Sequence, residues 1–404
     1  MRALVLVTRL PVPPWRGDQV RTFHHLRHLA ARHDVTCCAL VSREPPLALR
    51  RQVETMGVRL VVVRLGLAGA GPALARALVG DSRPLQVLLY DRMRARREVA
   101  GIVADGRFDV VHAQLVRTAP YLPPAGGPPV VLDLIDALSA NLARRAATER
   151  GPLSPVAALE ARRLANCERA LIARSARALV VSAVERDALG GDERIVVVPN
   201  GVDAEAFTFH DGPRPPATLL FFGNLGYFPN VDAAGWLAHE IYPRVRAAVP
   251  MAELRLAGAR PARAIRTLAR LPGVSLSADV PDMAPEIAAA TVAVVPMRAG
   301  SGLQNKVLEA MAVGTPVVAT SGVAAALEVR AGEHLLVADD AETIAAAIVG
   351  LLRDPARARA MAAAAHAVVE RRYRWSASAR AVEVAWEEAV AINQDGAPCA
   401  PSGV

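Results

Sequence analysis

Short runs of apolar, mostly β-branched residues recur along the first half of the chain, separated by stretches with helical spacing of apolar and polar positions. Continuous apolar runs between helices predict parallel strands that are covered on both faces. The predicted strands lie at 3–8, 34–41, 58–65, 109–115, 130–136, 178–182 and 194–200. This pattern indicates an α/β domain with a doubly wound sheet.

The alternation stops between Asp203 and Ala217, where the stretch HDGPRPPA has the composition of a linker. Strand-like runs then restart at 218–224, 253–259, 273–280, 291–297, 315–320 and 334–339. Beyond Asp354 the pattern is helical to about Asn393, and a loose tail follows. We predict a Rossmann-like domain at 1–203 and a second at 204–375. Residues 376–404 are predicted to form a helix and a loose tail, and whether this helix returns to the first domain stays open.

Two such domains facing each other place the carboxyl ends of both sheets around one cleft. Ligands bind at these edges in open α/β sheets. The predicted fold is therefore α/β, with two Rossmann-like doubly wound domains facing a cleft, and the expected site lies in that cleft.

Composition narrows the function classes. A chain of 404 residues is long enough for two cores, and four cysteines without metal-ligand spacing indicate a reducing compartment without structural zinc. No apolar run is long enough to act as a signal peptide or to span a bilayer, so we expect a cytoplasmic protein. The net charge of +8 favours acidic partners such as nucleotides or lipid phosphates. Only 4% of the residues are aromatic, which argues against nucleic-acid binding.

One lysine, Lys306, stands among 47 lysines and arginines. It follows a predicted turn and lies in the first turn of a helix predicted to begin near Gln304 or Asn305. Free backbone N–H groups and the helix dipole there attract phosphate, and Glu309, on the same face, suits ribose hydroxyls. A surface ion pair is the ordinary alternative, but arginine would serve it equally well. The predicted phosphate-binding turn consists of Gly300, Ser301, Gly302 and Leu303.

Three segments together resemble a known family: VVPNGVDAEAF at 197–207, VLEAMAVGTPVVAT at 307–320 and HLLVADDAETIAAAI at 334–348. They are similar to the retaining glycosyltransferases of the GT-B fold, glycosyltransferase family 4. FFGNLGYFPNVDAAGWL with GLQNKVLEAMA resembles the branch associated with exopolysaccharide and exosortase gene clusters. The resemblance implies transfer of a sugar from a nucleotide diphosphate sugar to a hydroxyl acceptor with retention of configuration, without a metal or a cofactor.

The resemblance also implies site residues in the second domain. Glu309 matches the second glutamate of the family's E-x7-E motif, which binds ribose, and Ser301 occupies the position of the first. Asn224 stands where relatives have an arginine for the diphosphate, and FPN replaces the region of their lysine. Lys306, assisted by Arg298 and the backbone amides of 300–303, is the expected replacement for that charge.

In the first domain, Gly17 and Asp18 match the loop where relatives have a glycine-rich turn beside the donor phosphate and the acceptor; a helix capped by Asp18 is the alternative. His112 is predicted at a strand end pointing into the cleft, where the resemblance implies contact with sugar or acceptor, although buried histidines are commonly core residues. Asp136, with Asp133, is a further acceptor-side candidate, and helix capping is its alternative.

The other basic and histidine-rich segments stay open. His24 and His28 lie one turn apart without a third ligand, so no metal site is predicted. The arginines at 92–97 form either a solvated face or a peripheral contact with anionic lipid at the inner membrane face.

Several acceptors and functions are compatible with the sequence. The acceptor could be a glycan, a lipid-linked sugar or a secondary metabolite. A nucleotide-sugar epimerase of the same fold and a non-catalytic nucleotide-sugar-binding subunit are the alternative functions.

Overall fold

A computed structural model describes residues 1–66, 71–78, 80–148, 154–299 and 302–395. The chain divides into two units: unit 1 comprises Met1–Pro199 and the residues from Trp375 onward, and unit 2 comprises Asn200–Arg374. The predicted domain boundaries, after 203 and after 375, lie within a few residues of the two points where the chain passes from one unit to the other. Unit 1 is therefore discontinuous in sequence.

Within the described residues, unit 1 is built on a seven-stranded sheet in which every neighbouring pair is parallel. The spatial order is β3-β2-β1-β4-β5-β6-β7. In register, Val5 of β1 pairs with Cys37 of β2 on one side and His112 of β4 on the other. The strands are β1 Arg2–Val7, β2 Asp34–Val41, β3 Arg59–Arg64, β4 Val110–Gln114, β5 Val130–Ile135, β6 Arg177–Val180 and β7 Ile195–Val197.

Helices cover both faces of this sheet, and two apolar clusters form its core layers. Because every inner strand has a core on both sides, its residues are mostly apolar without alternation, as the sequence pattern predicted. The helices before the boundary are α1 Gly17–Leu29, α2 Leu47–Glu54, α3 Gly71–Leu78, α4 Leu85–Tyr90, α5 Met93–Gly106, α6 Leu138–Thr148, α7 Ser154–Ala173 and α8 Ala183–Ala188, with a 3₁₀ helix at Val116–Tyr121.

Unit 2 repeats the architecture on a smaller scale. Its described residues form a six-stranded parallel sheet in the order β10-β9-β8-β11-β12-β13. The strands are β8 Thr218–Asn224, β9 Glu253–Ala259, β10 Val274–Ala278, β11 Val292–Val295, β12 Val317–Ala319 and β13 Leu336–Val337. The helices are α9 Phe228–Trp236, α10 Tyr242–Ala248, α11 Arg263–Leu268, α12 Ala284–Ala288, α13 Asn305–Val313, α14 Ser321–Ala324, α15 Ala341–Arg353 and α16 Pro355–Arg372, with a π-helical turn at Leu237–Ile241 between α9 and α10.

The proline-rich segment that was predicted as a linker is part of unit 2. Arg214 anchors it, because its guanidinium donates hydrogen bonds to backbone carbonyls that include those of Ala288, Ala290 and Gly314, at 2.8–2.9 Å. Such a set of short bonds holds the segment against the body of the unit. The crossing between units therefore lies before this segment, at Pro199–Asn200.

The last helix, α17 (Trp375–Asp395), returns to unit 1. It packs on α1, and its apolar face enters the core layer that contains Val5 and Val131. The indole of Trp386 is fully buried there. The core residues that α17 contributes are Ala379, Val382, Ala385, Trp386 and Ala389.

Candidate functional site

The strand order of unit 2 reverses between β8 and β11, where one connection runs to β9 and the next to β12. In doubly wound sheets the loops that leave the carboxyl ends of two such strands diverge, and the crevice between them is the usual ligand position. The first loop leads into α9, and the second leads into α13. The described second-unit residues of the predicted site lie at the end of β8, on the loop before α13 or on α13.

Two glycines let the backbone of β8 and β9 come together at this edge. Gly223 has φ +134° and Gly258 has φ +140°, a region that side chains with a Cβ rarely adopt. A Cβ on Gly258 would lie 1.9 Å from the carbonyl oxygen of Gly223. Substitution of Gly258 would therefore force the strands apart at the predicted site.

Lys306 is buried in the first turn of α13, with 8% of its surface exposed. Its Nζ donates to Oδ1 of Asn230 at 2.6 Å, lies 3.8 Å from Sδ of Met297, and stands 4.7 Å from the ring centroid of Phe221. Among the described residues, no carboxylate forms an ion pair with it. Burial lowers the pKa of Lys306 to about 7, while the Glu309 carboxylate opposes that shift.

Glu309 follows one turn later on α13 and is partly buried. Within the described part of the chain its carboxylate makes no hydrogen bond or ion pair. Burial raises the pKa of Glu309 to about 7, and the Lys306 ammonium opposes that shift. This helix therefore carries a cation and a carboxylate that are both destabilised in their charged forms.

Two asparagines connect the loops of the crevice. Asn230, in the first turns of α9, accepts from Lys306 and donates through Nδ2 to the backbone carbonyl of Asn224 at 2.8 Å. The side chain of Asn224 is exposed and turns back to accept from the Gly226 N–H at 3.1 Å. The structure thus brings Asn224 and Lys306 together through Asn230.

The predicted phosphate-binding turn is only partly described, because Gly300 and Ser301 lie outside the described residues. Gly302 has φ +70°, and Leu303 is buried. The helix begins at Asn305, as predicted, and Gln304 at its N-cap position supplies no side-chain cap. The positive end of the helix dipole therefore lies at the crevice.

Arg298 is paired with a carboxylate of α9. Its guanidinium makes two bonds to the carboxylate of Asp232, at 3.2 and 2.6 Å, and lies 4.9 Å from the ring centroid of Trp236. Asp232 holds the pKa of Arg298 above its usual value. This charge is therefore paired with a carboxylate on α9, and the contribution of Arg298 to the diphosphate site stays a prediction.

In unit 1 the strand order reverses between β1 and β4, and α1 follows β1 at that point. Gly17 is the first residue of α1 and is exposed, with open space around its α-carbon. Arg16 occupies the N-cap position, and Asp18 lies in the first turn, where it forms an ion pair with Arg9. The alternative in which Asp18 caps the helix is therefore wrong.

His112 lies in the middle of β4, not at its end, and is buried. Its Nδ1 accepts from Nε1 of Trp386 at 3.1 Å, and its Nε2 lies 3.7 Å from Oδ2 of Asp133. The predicted position at a strand end facing the ligand is wrong, because α17 covers this side of the sheet. A direct role for His112 at the acceptor stays a prediction.

The two aspartates of β5 have different environments. Asp133 is fully buried and bonded to Nε of Arg21 at 2.7 Å; burial opposes its ionisation, but Arg21 and His112 hold the pKa of its carboxyl well below the usual value. Asp136 follows the strand, is partly exposed, and accepts from Nδ2 of Asn141 at 3.3 Å. Of the two, Asp136 alone lies at the carboxyl edge.

His24 has a packing role, since it stacks on Trp375 at 4.7 Å between ring centroids. In the residues that the structure describes, no group of three His, Cys, Asp or Glu side chains is arranged to hold a metal ion. None of the described helices is both long enough and apolar enough to span a membrane.

Comparison with solved structures bears out the architecture. Anabaena HepE in complex with UDP superposes with a TM-score of 0.67 at 14% identity, over 96% of this chain and all of the other. Sucrose-phosphate synthase from Thermosynechococcus elongatus superposes with a TM-score of 0.73 at 16% identity, over 97% of this chain and all of the other. Two doubly wound parallel sheets with these neighbours define the GT-B fold.

Sequence comparison identifies the class more closely. Residues 15–206 match the model described as Glycosyltransferase Family 4, and residues 216–354 match Glycosyl transferases group 1. The two models together cover most of the chain, and both describe glycosyltransferases.

Curated relatives match about half of the chain. A phosphatidyl-myo-inositol mannosyltransferase of Mycobacterium leprae is 32% identical over 50% of this chain and 55% of its own length. A GDP-mannose-dependent monoacylated alpha-(1-6)-phosphatidylinositol monomannoside mannosyltransferase of Corynebacterium glutamicum is 30% identical over 47% and 55%. The chain spans about half the length of the curated relatives it matches.

Proposed function

We propose that this protein transfers a sugar from a nucleoside diphosphate sugar to a hydroxyl acceptor, with retention of anomeric configuration. The observation that carries the proposal is Lys306, a buried cation without a carboxylate partner among the described residues, at the N-terminus of α13 on the switch-point edge of unit 2. A site of this kind suits a diphosphate, since the helix dipole and the ammonium both favour negative charge.

Glu309 completes the proposed donor site. Its carboxylate has no partner in the described part of the chain and lies one turn further along the same helix. It is free to accept hydrogen bonds from the two ribose hydroxyls of a nucleotide whose phosphates lie at Lys306. The structural neighbour solved with UDP and the relative named as GDP-mannose-dependent support a nucleotide donor, and together they leave the base open.

In the proposed reaction the bond between the anomeric carbon and the leaving phosphate oxygen breaks, and a bond to the acceptor oxygen forms on the same face. The acceptor proton passes to the departing diphosphate, so no strong protein base is required. Lys306 and the N-terminus of α13 stabilise the charge that develops on the leaving group, an electrostatic contribution that is commonly large. We propose that neither a metal nor a cofactor takes part.

The second substrate of the proposed reaction is the hydroxyl acceptor. We propose that it binds at the carboxyl edge of unit 1, where Gly17, Asp18 and Asp136 lie. Glycan, lipid-linked and secondary-metabolite acceptors remain the alternatives, as does peripheral contact of the arginines at 92–97 with anionic lipid. The cytoplasmic location belongs to the same proposal.

A thermal-shift panel tests the donor site. The melting temperature is measured with UDP, GDP, TDP, ADP and CDP and their sugars for wild type, Lys306→Ala and Glu309→Ala, with exposed Arg359→Ala as the control. A nucleotide at a hundred times its Kd stabilises the protein by about 2.7 kcal/mol. We expect one base to stabilise wild type and the control, and both site variants to lose the effect. No stabilisation by any nucleotide would contradict the proposed site.

A second candidate, a nucleotide-sugar-binding subunit without catalysis, is favoured by Ser301 at the position of the family's first glutamate. Release of free sugar or of a glycosylated acceptor from the stabilising donor distinguishes the two. Turnover supports the transferase, whereas tight binding without turnover across acceptors supports the binding subunit.

A further inference from the structure

Asn230 is the residue that orients Lys306, and it does so without a charge. Its Oδ1 accepts from Nζ at 2.6 Å, and its Nδ2 donates to the carbonyl of Asn224 at 2.8 Å. The second bond identifies the amide orientation, because a carbonyl oxygen accepts only from the NH₂ side. Asn230 itself is buried at 6% exposure, so the amide is held at both ends.

The remaining neighbours of the ammonium group are also uncharged. The ring of Phe221 and the thioether of Met297 contact it, and Gly223 leaves bare backbone beside it, since a Cβ there would lie 3.5 Å from Nζ. Among the described residues, the titratable group whose charge acts on the ammonium is Glu309, on its own helix. A buried lysine is usually matched by a carboxylate within bonding distance, because an unmatched buried charge is costly.

An aspartate at position 230 would have almost the same shape as asparagine and would supply that carboxylate. It would pair with Lys306 and neutralise the ammonium charge within the protein. Resting on the proposed donor site, we propose that Asn230 is a positioning residue whose neutrality keeps Lys306 without a resident counter-charge, so that the diphosphate of the donor completes the pair.

The proposal predicts an unusual response to an isosteric change. Asn230→Asp loses the bond from Nδ2 to the carbonyl of Asn224 and gains a charge pair with Lys306, and it should weaken binding of UDP or GDP, whichever stabilises wild type, at least tenfold. A cooperative thermal transition of the ligand-free variant shows that it is folded. Asn166→Asp, on an exposed part of α7, introduces the same charge elsewhere and should bind as wild type does. Asn230→Ala, which removes the acceptor but adds no charge, should weaken binding less than Asn230→Asp.

Proton uptake separates this role from simple structural support. Binding of the same nucleotide is measured by calorimetry at pH 8 in two buffers with different ionisation enthalpies. Wild type should take up a fraction of a proton for each nucleotide bound, because Lys306 becomes protonated next to the diphosphate. Asn230→Asp should take up little, because the introduced carboxylate already keeps the lysine protonated.

The outcomes distinguish this inference from the proposed function. If wild type and Asn166→Asp bind the nucleotide and Asn230→Asp binds equally well with equal proton uptake, the role of Asn230 is refuted and the donor site stands. If wild type binds no nucleotide, both proposals fail. Weak binding by folded Asn230→Asp with lost proton uptake supports the inference, whereas weak binding with the proton uptake of wild type refutes it.

Discussion

Lys306 and Glu309 show how burial changes the protonation state of individual side chains. Both groups lie on α13, and burial moves the pKa of each toward about 7, the lysine from above and the glutamate from below. In the ligand-free protein neither charged form is strongly favoured at neutral pH. A diphosphate next to Lys306 favours its ammonium, and ribose hydroxyls favour the ionised form of Glu309, so ligand and charge state are linked.

This linkage predicts a pH optimum for donor binding. Above pH 7 the lysine of the free protein loses its proton, and binding should weaken by up to about tenfold per pH unit. Below pH 7 Glu309 becomes protonated, and its ability to accept from ribose falls. The Kd of the stabilising nucleotide, measured from pH 6 to 9, should be lowest near pH 7.

A control variant tests the acid limb of this optimum. Glu309→Gln should remove that limb while the alkaline limb remains. A Kd for wild type that is flat between pH 7 and 9 would contradict the assignment of Lys306.

The contact between α1 and α17 contains a buried histidine whose pKa is shifted. Nε2 of His25 on α1 lies 2.9 Å from Oγ of Ser378 on α17, and that hydroxyl donates to the carbonyl of Pro199 at 2.6 Å. Burial above all, and then the charge of Arg21, holds the pKa of His25 well below its usual value. The imidazole is therefore neutral in the folded protein.

The lowered pKa of His25 makes folding stability depend on pH. Below pH 6.5 the unfolded chain binds a proton at this residue that the folded chain does not, so stability is present above that pH and falls as the pH decreases. At pH 5.5 this residue should cost about 1.4 kcal/mol relative to pH 7.5. Chemical unfolding at both values measures the difference.

The test compares two histidine variants. His25→Gln should reduce the loss of stability between pH 7.5 and 5.5, whereas His239→Gln, at an exposed position, should leave it unchanged. An unchanged loss in His25→Gln would show that other groups cause it.

At the scale of the whole molecule, the chain crosses between units twice, and the crossings determine which fragments are complete. Unit 2 is one continuous segment, Asn200–Arg374, with its sheet and the anchored segment around Arg214 inside it. Unit 1 needs α17, which supplies the buried Trp386 and four further core residues. A fragment that ends at Pro199 would expose that core layer to water.

We therefore expect different behaviour from two fragments. Residues 200–374 should fold alone, with a cooperative thermal transition and resistance to limited proteolysis. Residues 1–199 should be unfolded or aggregated, and should gain a cooperative transition when residues 375–395 are joined to them through a flexible linker. A cooperative transition for 1–199 without α17 would contradict the role of the last helix.

Apolar periodicity was enough to predict the elements and the fold class. Strands such as 34–41, 218–224 and 253–259 were predicted with their observed bounds, because strands buried on both faces have an unambiguous apolar pattern. The start of α13 at Asn305 was predicted from the turn before it. The solitary Lys306 and its spacing from Glu309 were also visible in sequence, because both lie on one helical turn.

Contacts between residues far apart in sequence were decided only by the tertiary structure. The position of His112 depends on Trp386, 274 residues later, and the charge of Arg298 is taken up by Asp232, 66 residues earlier. Asn230 meets Lys306 only because β8 and β11 are neighbours in the sheet. The local sequence pattern indicates which face of a helix or strand is apolar, whereas the strand order and the return of α17 decide which side chains come into contact.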